Sequence, residues 1–272
     1  MPEGQSVGTR AGQPNPTAID AYAPAEIAQR VAGAGVKKAA APLTQTLVLA
    51  VLAGVFIAFG GAFFTLVMTG SPLGFGPARL LGGLAFCLGL ILVVVGGAEL
   101  FTGNNLIVMA WAERKVTTAR LLRNWGLVYL GNLIGALAMV ALVWLSGSLA
   151  LGEVAATAAA IAEGKTALGP LEAFVRGILC NALVCLAVWL CFAAHSVPGK
   201  IFALLWPITA FVALGFEHSV ANMYLIPIGQ LAGGGLDLSA FLGNLLPVTL
   251  GNILGGGLGV AGVYWAVYLR HA

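Results

Sequence analysis

Charge is what this chain has least of. Asp, Glu, Lys and Arg make up only 8% of its 272 residues, against 60% apolar residues, and the mean hydropathy is +0.97. A water-soluble domain covers itself with far more polar surface than that, so the main solvent is lipid. Basic runs with interleaved aromatics are also missing, and the net charge is only +3, which excludes a nucleic-acid partner. The four cysteines, Cys87, Cys180, Cys185 and Cys191, lie inside apolar segments without Cys-x-x-Cys or paired His spacing. They read as small packing residues, and no metal site or cofactor is expected. The first 40 residues lack the apolar core of a secretory signal, which leaves insertion to the first span.

Apolar runs and glycine are what the chain has in quantity. A bilayer core takes about 20 apolar residues, and suitable runs fall near 44–69, 80–112, 124–146, 171–195, 201–230 and 244–269. The second and fifth are too long for one crossing and are interrupted by polar residues. The 38 glycines suit helices that approach closely or break within lipid. Basic residues sort by side: Arg10, Arg30, Lys37, Lys38, Arg114, Lys115, Arg120, Arg123, Lys200 and Arg270 on one, Arg79, Lys165 and Arg176 on the other. Positive residues mark the cytoplasmic side, so both termini are expected there. Residues 1–20 read as a disordered cytoplasmic leader. Residues 21–42 read as an amphipathic interfacial helix with Ile27, Val31 and Ala34 on one face, serving either to position the first span or to gate. Residues 43–270 read as one six-span transmembrane domain.

The chain repeats itself. NWGLVYLGNLIG at 124–135 and NLLPVTLGNILG at 244–255 share Asn124, Val128, Leu130, Gly131, Asn132 and Gly135 with Asn244, Val248, Leu250, Gly251, Asn252 and Gly255. Glu99 precedes Asn104 by five residues, as Glu217 precedes Asn222. Two three-span units, about 43–146 and 170–270, account for this. An odd number of spans per unit inserts the second upside down, so discontinuous helices meet at the midplane. The expected fold is an all-α membrane protein of six spans in two inverted repeats, the second and fifth broken.

The breaks carry the chemistry. The first reads Ala98-Glu99-Leu100-Phe101-Thr102-Gly103-Asn104-Asn105 and the second Gly215-Phe216-Glu217-His218-Ser219-Val220-Ala221-Asn222. Irregular backbone inside hydrocarbon survives only where protein or a wet cavity satisfies its N–H and C=O groups, and Gly103 is expected to supply the unusual dihedrals of the first turn. His218 is the histidine that the spans place deep in the membrane. An imidazole there can hydrogen-bond an anion or exchange a proton with it. The plain alternative is a packing histidine bonded to Thr102 or Asn181. Glu99 and Glu217 read as supports that accept backbone N–H bonds, because a bare carboxylate on the route repels anions. Lys165, in the loop before the fourth span, is placed to concentrate anions by its field or simply to be solvated.

ELFTG (99–103), RGILCN (176–181), LVCLAVW (183–189), GFEHSVANM (215–223) and PVTLGNILGGG (247–257) together resemble the formate/nitrite transporter family over roughly residues 20–270. The resemblance implies an aquaporin-like protomer in a homopentamer in the bacterial cytoplasmic (inner) membrane, each protomer with its own pore for a small monovalent anion or its acid. It assigns His218 as the central pore histidine, Thr102 as the loop threonine, Asn181 and Asn222 as supporting amides, Lys165 as the vestibule lysine and Glu217 as the glutamate beside the histidine. It implies apolar constrictions at Leu90, Leu100 and Val184 towards the cytoplasm and at Phe86, Phe101 and Phe211 towards the outside. Formate is the substrate that ANMYLIPIG and the YWAVYLR ending favour. Gly103-Asn104-Asn105 departs from formate channels and keeps nitrite open, beside hydrosulfide, lactate and acetate. The expected route runs from Lys165 past an apolar ring to Thr102 and His218, where a proton or hydrogen bond lowers the charge. An aquaporin-like neutral-solute channel would carry Asn-Pro-Ala at both breaks, and neither break has a proline. A membrane enzyme would need a nucleophile or metal set around His218 and Glu217, and the motifs offer only Ser219 and Thr102.

Overall fold

The computed structural model describes residues 21–270 and is helical. In chain order the helices are α1 (Pro24–Ala40), α2 (Leu43–Met68), α3 (Phe75–Gly96), α4 (Phe101–Asn104), α5 (Val108–Ala112), α6 (Thr118–Leu145), α7 (Val154–Thr166), α8 (Pro170–Ala193), α9 (Val197–Ala213), α10 (Ser219–Ala232), α11 (Leu238–Ile253) and α12 (Val263–Tyr268). A 3₁₀ turn, Asn105–Ile107, joins α4 to α5, and a π-helical stretch, Leu254–Gly262, joins α11 to α12. The expected leader at 1–20 lies outside the described residues.

Among the described residues, five helical segments are long and apolar enough to cross a bilayer: Leu43–Met68, Phe75–Gly96, Thr118–Leu145, Pro170–Ala193 and Leu238–Tyr268. They make this a multi-pass membrane protein. Their outer faces leave Val48, Leu142, Leu145, Leu246 and Val267 exposed, as contact with lipid requires. Val197–Ala213 is apolar but shorter, at 17 residues.

Close approach of α2 to α6 and of α8 to α11 sets the frame. A Cβ on Gly135 would strike the Val51 carbonyl, and one on Gly255, in the π-helical stretch that continues α11, would strike that of Ile178. These positions match in the sequence repeat, and both hold two helix backbones in contact, which suits association in lipid by van der Waals packing.

The chain leaves helical geometry at equivalent points after α3 and α9. Gly97 (φ 82°) and Gly215 (φ 72°) turn left-handed, and the next residues, Ala98 and Phe216, donate their N–H groups back to Val93 and Phe211. This is the glycine-terminated helix stop. Gly103, expected to make the first turn, lies within helical α4 instead, because Gly97 has already supplied the left-handed residue.

One further expectation changes. Lys165 sits in the last turn of α7, not in a loop: Val154, Ala158 and Ala162 recur at helical spacing, and α7 packs by them against α10, where a Cβ on Gly229 would strike Ala162. Within segment 21–42, Pro24–Ala40 forms α1, whose Ile27, Ala28, Val31 and Ala32 are buried in a cluster with Ile107 and Met109.

Candidate functional site

The two stops leave short extended strings that run towards each other, Gly97–Leu100 and Gly215–His218. Each string is tied to its own half. Glu99 N–H donates to the Leu49 carbonyl at 3.1 Å, and Glu217 N–H to that of Arg176 at 3.3 Å. Asn132 accepts from Phe101 N–H (2.9 Å) and donates to the carbonyls of Glu99 (2.9 Å) and Ala50 (2.7 Å). Asn252 accepts from Ser219 N–H (2.9 Å) and donates to the carbonyls of Glu217 (2.9 Å) and Gly177 (2.8 Å). Fully buried amides thus satisfy backbone groups that lipid cannot.

The carboxylates do something other than accept backbone N–H bonds, as the sequence had suggested. Glu99 accepts from Lys38 Nζ at 2.7 Å and from Asn104 Nδ2 at 2.6 Å. Glu217 accepts from Lys165 Nζ at 2.8 Å and from Asn222 Nδ2 at 2.6 Å. Asn104 and Asn222 also donate to Asn124 and Asn244, whose own amides donate to the Lys38 and Lys165 carbonyls. Buried charge is thereby paired and hydrogen-bonded, as it must be.

The halves differ where they meet. Counting from the matched Phe101 and Ser219, the residue before each is Leu100 or His218, and the residue after each is Thr102 or Val220. One polar group comes from each half, and Thr102 Oγ1 stands 2.9 Å from His218 Nε2, both buried. His218 Nδ1 accepts from Ala221 N–H at 3.0 Å, so in the neutral imidazole the proton is on Nε2 and that N–H points at Thr102. Asn181, the other suggested partner, donates to the Thr102 carbonyl (3.2 Å) and to that of Asn252 (2.7 Å). It holds the Thr102 backbone rather than the imidazole.

A cavity approaches this contact from each side. One of about 380 Å³ is lined by Lys165, Glu217, His218, Phe86 and Phe211. The other, of about 300 Å³, is lined by Lys38, Glu99, Leu90, Leu100, Gly103 and Asn104. Phe86 and Phe211 meet edge to face at 5.7 Å, and Phe211 stacks near the His218 ring at 5.8 Å. Phe101 lines neither cavity and packs edge-on against Tyr129; Val184 is buried in the same core and lines neither. Among the described residues no group of three or more His, Cys, Asp or Glu side chains is placed to hold a metal ion.

Lys38, Asn132 and Asn252 belong to this arrangement without having been singled out as site residues. The two asparagines stood in the repeat as matched letters. Lys38 precedes Ala50 by the same 12 residues that separate Lys165 from Gly177, a correspondence hidden by starting the repeats at 43 and 170.

A family described as Formate/nitrite transporter matches residues 25–266. The formate channel FocA of Escherichia coli (strain K12) is 43% identical, covering 93% of this chain and 96% of that one. A probable formate transporter of Methanothermobacter thermautotrophicus is 41% identical, covering 91% and 97%. A solved structure, a pentameric formate channel with formate bound, is similar at a TM-score of 0.77 and 40% identity over 84% of this chain and 98% of that one. The chain belongs to the formate/nitrite transporter family.

Proposed function

We propose that the protein conducts formate and related small monovalent anions across the bacterial cytoplasmic membrane. The observation that carries this is not the Thr102–His218 bond by itself, which a packing histidine would also make, but its place: His218 lines one of two cavities, each presenting a Lys–Glu pair, that flank the contact. Six spans follow if α3 with α4 and α5, and α9 with α10, are two broken crossings. The halves are then inverted repeats, with the Lys38 mouth and both termini cytoplasmic. A homopentamer of such protomers would cover part of the exposed apolar belt.

Desolvating an ion is the main barrier, since an isolated charge in an apolar medium is very costly. The lysine at each mouth lowers that cost by its field. Phe86 and Phe211 on one side, Leu90 and Leu100 on the other, strip the hydration shell. Between them the anion meets the Nε2–H of His218 and the hydroxyl of Thr102. Because Nδ1 is occupied by the Ala221 N–H, the ring is set to donate a hydrogen bond there. Asn181, Asn222, Glu99 and Glu217 act as supports.

The test is flux of labelled formate into proteoliposomes, with nitrite, lactate, acetate and hydrosulfide in parallel and protein-free vesicles to measure leakage of neutral acid. Formate should move in a saturable manner, and His218→Phe should abolish that component. Unchanged flux in His218→Phe rejects the central role of the histidine.

A further inference from the structure

The two mouths carry unequal charge. The Lys165 cavity is lined by three cations, Arg79, Lys165 and Arg176, and one carboxylate, Glu217. The Lys38 cavity has one lysine and one carboxylate, Glu99. The three cations are all that the sequence places on that side of the membrane, and the fold gathers them around one cavity.

Donor use is unequal as well. Lys38 Nζ spends two N–H bonds on protein, to Glu99 and Asn104, whereas Lys165 spends one, on Glu217. Arg79 makes no ion pair among the described residues. It is anchored on carbonyls instead: Nε donates to Ala213 at 3.0 Å and Nη2 to Val212 at 2.7 Å. Arg176 Nη1 donates to the Gly215 carbonyl at 3.1 Å, and its Nη2 pairs with half-exposed Glu172. Both forks are therefore held in place, and Arg79 Nη2 and Arg176 Nη1 each keep a second N–H.

Those two nitrogens converge. The point where a Cβ would stand on Gly215 lies 3.1 Å from Arg79 Nη2 and 3.5 Å from Arg176 Nη1. A side chain on Gly215 would crowd both nitrogens, so glycine keeps this part of the cavity wall clear beside two guanidiniums that are each fixed on carbonyls. A fixed pair of forks suits a carboxylate or planar oxoanion, and because the forks are already ordered, binding costs little entropy.

We propose that Arg79 and Arg176, with Gly215 between them, hold a small monovalent carboxylate or oxoanion in the Lys165 mouth before it reaches His218. The Lys38 mouth has no counterpart. This rests on the transport reading above. A passive pathway must have equal initial slopes from both sides, so the difference appears in saturation: flux from the Lys165 face half-saturates at lower concentration than flux from the Lys38 face.

The experiment uses labelled formate and right-side-out and inside-out membrane vesicles, their sidedness read from a carboxy-terminal tag. Arg176→Gln should raise the half-saturating concentration from the Lys165 face by about threefold or more at low ionic strength, and raised salt should shrink that gap. The other face should not change. Arg176→Lys should retain most of the effect, and Glu172→Gln, which frees the guanidinium, should lower the half-saturating concentration. Equal half-saturation from both faces in the native protein, an equal shift on both faces in Arg176→Gln, or a rise in Glu172→Gln overturns the proposal. No formate flux in native vesicles would instead reject the transport reading.

Discussion

Lys38 and Lys165 hold matching carboxylates at opposite mouths, Glu99 at 2.7 Å and Glu217 at 2.8 Å, but to different depths. The Lys38 and Glu99 side chains are 33% and 14% exposed, those of Lys165 and Glu217 16% and 4%. Removing one partner of a buried pair leaves an uncompensated charge, which costs about 3–5 kcal/mol, and a wetter pair costs less. Lys165→Met should therefore destabilise more than Lys38→Met in reversible unfolding from mixed detergent micelles. Lys165→Met/Glu217→Gln should recover much of the loss. Equal losses without recovery in the double variant would show that neither lysine is there to compensate its carboxylate.

Asn132 and Asn252 predict a stability effect that involves no charge. Each satisfies three buried backbone groups, and a buried group left unpaired costs roughly 1–3 kcal/mol. Asn252→Ala should lose several kcal/mol in the same unfolding assay, with a comparable loss for Asn132→Ala because the bonds match one for one. A loss at one site without the other would mean that the two interruptions are held differently.

Much of this arrangement was legible in the sequence because membrane physics leaves few alternatives. An apolar run announces a helix, and a cluster of Glu, Thr, Asn and His inside such a run announces backbone or solute that lipid cannot serve. That marked the two breaks and His218; Thr102 was singled out through the family resemblance. The hydrogen-bond partner was not legible: whether Glu99 accepts from an amide N–H or from Lys38, 61 residues away, is decided by packing. Nor was the turn residue. Gly97 and Gly103 are equally able to turn left-handed, and only the point where α3 ends selects Gly97. Lys165 was read as a loop residue because it falls between the spans placed at 124–146 and 171–195; the 13 residues Val154–Thr166 are too few for a crossing, and their helix packs against α10.

Thr102 gives the sharpest test of the centre. Its hydroxyl is fully buried and faces His218 Nε2, while Asn181 holds its carbonyl. Thr102→Val preserves shape and leaves the imidazole N–H without a partner, a loss of about 1–3 kcal/mol. An anion at the centre also loses the donor that stands opposite the histidine. If the loss falls on the highest point of the route, flux drops by roughly 5- to 150-fold, since each 1.4 kcal/mol is tenfold. Thr102→Ser keeps the hydroxyl and should keep most of the flux. Formate uptake into proteoliposomes at matched protein density separates the two variants. Thr102→Val conducting as well as Thr102→Ser would show that the hydroxyl contributes only packing, and His218 would then act without it.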